Sequence, residues 1–370
     1  MTIAAFLFVA CGGGTDLPPT TPTPATDDAT PTPAASSGTP APAPSELRIA
    51  FINLGSPITV DETDRIAHET FFERLDLLIA ELKDYRPDLV AITGAAWTDE
   101  LGAAAWEVLA SELRIEVQYQ RANPWFPNHD KEDSDATRDL IGFEEGEALL
   151  SRYPIRWSKR IPLNPRTSES EGRIALHAVL RIEPYGDVNV YISRLSGTFQ
   201  TRLAQAADLR RVIDQTREDG PVLVFADFGM EPDSEGVTGF TNSGFFDLAY
   251  AAGDDDSLGT CCRTSMLFGV PEEPGEGEEG PDAEEPVTPL PGTNETPEVM
   301  PEQGTPESNE ELAENRTLYV FSDSWGAEDF RIFGQYPALR ADGSRLYASD
   351  HNGIFAIIDL RMPSGEVPHD

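Results

Sequence analysis

Two long tracts of this chain cannot bury a core, and they decide where folding has to happen. From Gly12 to Ser45 the sequence is almost entirely Thr, Pro, Ala, Ser, Gly and Asp, and Thr21-Pro22-Thr23-Pro24 and Ala41-Pro42-Ala43-Pro44 favour extended polyproline conformations. From Pro271 to Asn315 there are fifteen Asp and Glu and no Lys, Arg or His, a composition expected to stay disordered. What is left supplies one large core rather than two. The expected organisation is therefore a stalk over 12–45, one folded domain over 46–362 interrupted by an acidic insert at 270–315, and a short tail over 363–370.

The formal net charge is -38 and the isoelectric point is near 4.3. Much of that excess sits in the insert, yet the remainder is still acidic, and Lys83, Lys131 and Lys159 are the only lysines. An acidic body repels phosphate backbones, so strong nucleic-acid binding by counterion release is not expected. A monomer is expected.

The start of the chain points to a compartment. Ile3 to Ala10 is a short apolar run that ends against Cys11 and three glycines. A small residue before a cysteine at the end of such a run reads as a lipobox, with Cys11 as the lipidation site. The basic residues that normally precede the apolar run are missing, and Phe8 stands where Leu is usual. An acylated cysteine followed by a stalk would hold the domain off a bilayer, outside the cytoplasm at the cell surface, and no other apolar run is long enough to span a membrane. The alternative is a fortuitous apolar N-terminus with a free thiol.

Periodicity sets out the body. Leu47–Leu54 is a buried strand, and Ile66, Phe71, Leu75, Leu78, Ile79 and Leu82 recur at helical spacing up to the breaker Pro87. Asp88–Thr93 is a second strand, giving a strand-helix-strand opening of the layered α/β kind. A helix is expected over Glu100–Leu113, a strand over Ile115–Tyr119, and a loop through the polar stretch Asn123–Glu145. Further strands are expected at Ala148–Ser151, Ile174–Ile182, Val188–Ser193, Val222–Ala226, Thr317–Ser322 and Gly353–Leu360, with a helix over Leu203–Arg217. Strands outnumber helices, which suggests two sheets packed together with helices outside.

Several segments, in order, resemble the endonuclease/exonuclease/phosphatase family. Asn53 closes the first strand as an Asn does there. Gly146-Glu147-Ala148-Leu149-Leu150-Ser151-Arg152-Tyr153-Pro154-Ile155 is close to the signature GNAILSRYPI, Ala226-Asp227-Phe228-Gly229 to GDFN, and Ser349-Asp350-His351 before an apolar strand to the SDH ending. The ordered set spans Leu47 to Leu360 apart from the insert. The resemblance implies an α/β fold of two packed, mostly antiparallel β-sheets flanked by helices, the DNase I-like four-layer α/β/β/α sandwich. It also implies phosphoester hydrolysis with Mg²⁺ or another divalent cation, which neutralises phosphoryl oxygens beside a positioned water and an acid or base.

Several chemical positions depart from that pattern. The Glu that holds the metal in the family maps to Gly94, the phosphate-contacting His to Arg194, the Asn of GDFN to Gly229, and the carboxylate that orients the last His to Leu318. Asn53, Asp227, Asp350 and His351 are retained catalytic positions, vestigial unless the site has been rewired. His351 is either an acid or base or part of a capping turn, and Asp227 either positions water or a cation or bonds local backbone. Asn53 reads as structural, without a metal-binding neighbour. Arg194 is either a phosphate clamp or an ion-pair partner of Asp227 or Asp350, the pairing being favoured. Asp99 and Glu100 are candidates to replace the missing metal ligand, or helix caps. The vicinal Cys261-Cys262 reads as two buried thiols or a redox-labile ring, with thiols favoured. His68, His129, His177 and His369 show no zinc spacing.

Two functions compete: a catalytically degenerate binding or scaffold module, and a divergent metal-dependent phosphodiesterase or phosphatase. The replaced positions favour the first.

Overall fold

A computed structural model describes residues 44–55, 69–99, 102–124, 131–166, 172–253, 259–269 and 313–361, all within the unit that spans 43–370. Cys11, almost all of the stalk, His68, Glu100, His129, nearly all of the acidic insert and the tail lie outside the described residues.

Strand β1 (Glu46–Asn53) shows why the chain layers as it does. Leu47, Ile49 and Phe51 face one apolar cluster, and Ala50 and Ile52 face another. A strand buried on both faces must lie inside a layered fold, which is why it reads as an unbroken apolar run. β1 runs parallel to β2 (Leu89–Thr98), a pairing that needs a crossover, and α1 (Phe71–Tyr85) belongs to it. Helix α1 ends where Arg86 turns into the left-handed region and returns its N–H to Leu82 O, just ahead of Pro87. Together α1 and α2 (Ala105–Leu113) cover the outer face of the first sheet.

Adding β3 (Glu116–Asn123), β4 (Phe143–Ser151), β12 (Ala327–Phe333) and β15 (Gly353–Asp359) gives a first sheet in the order β12-β15-β1-β2-β4-β3. The second sheet is built from β5 (Ile155–Pro162), β6 (Ile174–Ile182), β7 (Gly186–Arg194), β8 (Val222–Asp227), β9 (Phe246–Asp247) and β11 (Leu318–Ser322), in the order β5-β6-β7-β8-β11-β9, while β10 (Leu267–Phe268), β14 (Arg345–Leu346) and β13 (Ala338–Leu339) form a small third sheet. Its one parallel pair, β7 with β8, is joined through a long helix over Phe199–Thr216, which with the short helix Glu235–Thr241 packs on that sheet's outer face. Thr198 caps the long helix by accepting the N–H of Thr201. The sheets meet through one shared core in which Phe51 and Phe225 stack edge to face at 5.7 Å. This is the two-sheet α/β sandwich with helices on both outer faces.

The stretch Asn123–Glu145 corrects the expected loop. It holds a helix over Lys131–Ile141 and the first residues of β4, which pairs with both β2 and β3. Charged residues in β4 hid the strand: Glu144, Glu145 and Glu147 are all buried. Strands β5 and β12, unread in the sequence, are edge strands whose exposed charges break the apolar run.

Candidate functional site

Topology gathers chemistry at one end of the sandwich. Asn53 ends β1, and Arg194 and Asp227 end β7 and β8, where they are register partners. Alternation settles which way these strand ends face, because Phe51, Ile192 and Phe225, each two residues earlier, all lie in the inter-sheet core. Glu145 and Glu147 share the β4 face of Leu149, which also points between the sheets.

The four retained family positions form one chain of contacts. Asn53 donates from Nδ2 to Asp227 Oδ2 at 2.7 Å, and its Oδ1 accepts the N–H of Gly55 at 3.0 Å. Asp227 Oδ1 accepts the N–H of Gly229 at 3.2 Å, and Asp227 Oδ2 lies 3.8 Å from His351 Nε2. Ser349 Oγ donates to the Asn53 carbonyl at 2.6 Å and accepts the His351 N–H at 3.1 Å, so the Ser349–His351 turn is tied to the end of β1. Asp350 Oδ1 lies 2.7 Å from His351 Nδ1. Where Leu318 supplies no carboxylate, the neighbouring Asp350 orients the imidazole through this contact. Burial opposes protonation of His351, but Asp350, aided by Asp227, outweighs it and raises the pKa, while the same contact and Arg194 hold Asp350 well below the usual carboxylate range against its own burial.

Arg194 lies at the centre of this arrangement, its side chain 27% exposed. Nη1 is 3.9 Å from Glu145 Oε2, Nε is 3.9 Å from Asp227 Oδ2, and the backbone N–H donates to Glu147 Oε1 at 3.3 Å. Gly94 sits opposite, at a bulge in β2 with φ +63, a conformation open chiefly to glycine. A Cβ there would fall 2.8 Å from Asn53 Oδ1 and 3.6 Å from Arg194 Nη1. The space a side chain at position 94 would enter is therefore bounded by an amide oxygen and a guanidinium. Asp99 does not substitute for it, because its carboxylate packs against Gly142 beyond the end of β2.

Glu145 and Glu147 went unrecognised in the sequence, although acids at alternate positions leading straight into the apolar run Ala148-Leu149-Leu150 put charge on one face of a strand. Glu145 Oε1 accepts Asn123 Nδ2 at 2.8 Å and Arg173 Nη1 at 3.0 Å. Burial works against its ionisation, yet Arg173, Arg194 and these hydrogen bonds bring its pKa down to about 2. Glu147 goes the other way: burial, reinforced by the charge on Glu145, raises it to about 8, and its Oε2 has no hydrogen-bond partner. One strand face thus carries an anion and a neutral acid.

These residues do not fit the divalent cation that the resemblance implies. Mg²⁺ demands an octahedron of oxygens at about 2.0–2.1 Å. Here the carboxylates of Glu145, Asp227 and Asp350 already surround the charge of Arg194, and position 94 offers no oxygen beyond its backbone.

The sequence matches no family model and no curated protein. The structure is similar to an endonuclease/exonuclease/phosphatase family protein from Bacteroides thetaiotaomicron, with 11% identity, a TM-score of 0.55, and 85% of this chain and 98% of that one covered. It is also similar to humanized D. rerio TDP2, at 15% identity and a TM-score of 0.53 over 86% of this chain and 100% of that one. A family protein from Leptotrichia buccalis gives 13% identity and a TM-score of 0.53 over 85% and 100%. The chain has the DNase I-like fold of these endonuclease/exonuclease/phosphatase family structures.

Proposed function

We propose that this protein is a surface-tethered lipoprotein in which the phosphoesterase fold serves as a catalytically degenerate binding or scaffold module. The observation that carries the reading is the Arg194 guanidinium among Glu145, Asp227 and Asp350, facing Gly94 where a metal-holding Glu is expected. A fixed organic cation balances the carboxylates in place of an exchangeable one, and it supplies neither a bound water nor a Lewis acid. Acylation at Cys11 and the stalk would present the site outside the cytoplasm, away from the membrane.

The whole chain, purified in mild detergent, is expected to leave bis(4-nitrophenyl) phosphate intact with Mg²⁺, Mn²⁺ or Ca²⁺. Hydrolysis that needs one of these ions and is lost in Asp350→Ala and in His351→Ala would establish the rewired phosphodiesterase instead. Tethering is tested separately by partitioning into the detergent phase, which Cys11→Ser should abolish; a chain that stays aqueous without the substitution is not anchored in this way.

A further inference from the structure

The turn that carries His351 lies against a second pair of reactive side chains. Cys261 and Cys262 are bonded to each other, correcting the expectation of two thiols, and Cys262 Sγ is 3.7 Å from His351 Nε2. The two sulfurs and an imidazole nitrogen all lie within 4.8 Å of one another. Backbone hydrogen bonds hold this juxtaposition from both sides. Cys261 exchanges N–H···O bonds with Asn315 at 2.7 and 2.8 Å, Arg263 N–H donates to Asp350 O at 2.9 Å, and Asn352 N–H donates to Thr260 O at 2.9 Å. The cysteine segment and the His351 turn are thus laced together independently of the sulfurs. Cys261 and His351 are buried and Cys262 is exposed, which leaves a way in.

We propose that, once the Cys261–Cys262 bond is reduced, the two thiolates and His351 Nε2 form a site for a thiophilic divalent cation of the zinc class. Zn²⁺ bound at about 2.3 Å to sulfur and about 2.0 Å to nitrogen in a tetrahedron holds those two atoms about 3.5 Å apart, close to the separation found. Asp350 on Nδ1 plays the orienting part that a carboxylate commonly has behind a metal-bound histidine. Reduction by a dithiol breaks the sulfur–sulfur bond with two electrons and two protons, and the reductant itself closes to a disulfide. Binding the cation then expels both thiol protons, and any proton on Nε2, so the site strengthens as pH rises. The donors here are sulfur and nitrogen, unlike the oxygen set that Mg²⁺ wants. The inference does not rest on the degenerate reading, because its readout is spectroscopic.

The test titrates Co²⁺ into the whole chain after reduction with tris(2-carboxyethyl)phosphine. One equivalent should bind with a sulfur-to-cobalt charge-transfer band and the intense visible bands of tetrahedral cobalt, and Zn²⁺ should erase both. The same chain left oxidised should show neither, which needs no variant to fold. Cys11→Ser should keep the bands, the double variant Cys261→Ser, Cys262→Ser should lose the charge-transfer band, and Asp350→Asn should weaken binding about 10–100-fold. Absence of the bands in the reduced chain overturns the proposal, as does their persistence in the double variant Cys261→Ser, Cys262→Ser or in the oxidised chain, either of which would mark binding elsewhere on an acidic surface.

Discussion

Arg194 ends one strand of the second sheet, Arg316 stands just ahead of another, and the two meet carboxylates in different ways. Arg316 precedes β11, sits over the Tyr319 ring at 4.6 Å, and bonds Asp247 at 2.6 Å with both side chains 1% exposed. Asp247 in turn caps the short helix that follows it by accepting the N–H of Ala249. Arg194 instead stands 3.9 Å from each of two carboxylates and is in part open to water. The first arrangement fixes one geometry in a dry interior. The second balances charge among several acids without locking to any of them.

The largest effect should fall on the dry pair. Arg316→Ala leaves Asp247 buried without this partner and is expected to cost about 3–5 kcal/mol, measured by urea unfolding. Arg194→Ala is expected to cost less, about 1–2 kcal/mol, because water can reach the acids it leaves behind. Equal losses would make Arg194 a structural lock, and the contrast would collapse.

A smaller effect separates the two acids of β4. In the folded chain Glu147 keeps its proton up to about pH 8, whereas the model-peptide value is 4.5. Between those values the folded state binds a proton that the unfolded chain has released, so this group's contribution to stability is full at low pH and is lost as pH rises. The slope is bounded at about 1.4 kcal/mol per pH unit. Glu145, with its pKa near 2, has completed its opposite change below that window. Glu147→Gln should flatten the fall in melting temperature between about pH 5 and pH 8; an unchanged profile would mean that Glu147 is ionised in the folded protein.

How much of the molecule was legible in advance differs between its layers. The interior strands and the α1 and Phe199–Thr216 helices announced themselves through apolar periodicity, because burial on one or both faces is written along the chain. β5 and β12 did not, since an edge strand buries little and carries charge. Asn53, Asp227, Asp350 and His351 could be placed because each falls in a short local motif at a strand end or turn. Glu145 could not: its partner Arg173 is 28 residues away, and a run of glutamates reads as a loop until an arginine answers it.

By itself, then, the sequence determined the layering and the positions that match or depart from the family's motifs, since each depends on residue type and local spacing alone. Only the tertiary structure decided that Arg194 faces Gly94 amid three carboxylates, that Glu145 and Glu147 differ in charge, and that a cysteine sulfur reaches His351 across 89 residues of chain. Those outcomes depend on how two sheets stack and where their strand ends converge, and Coulomb energies and desolvation act on the resulting distances, which no periodicity along the chain encodes.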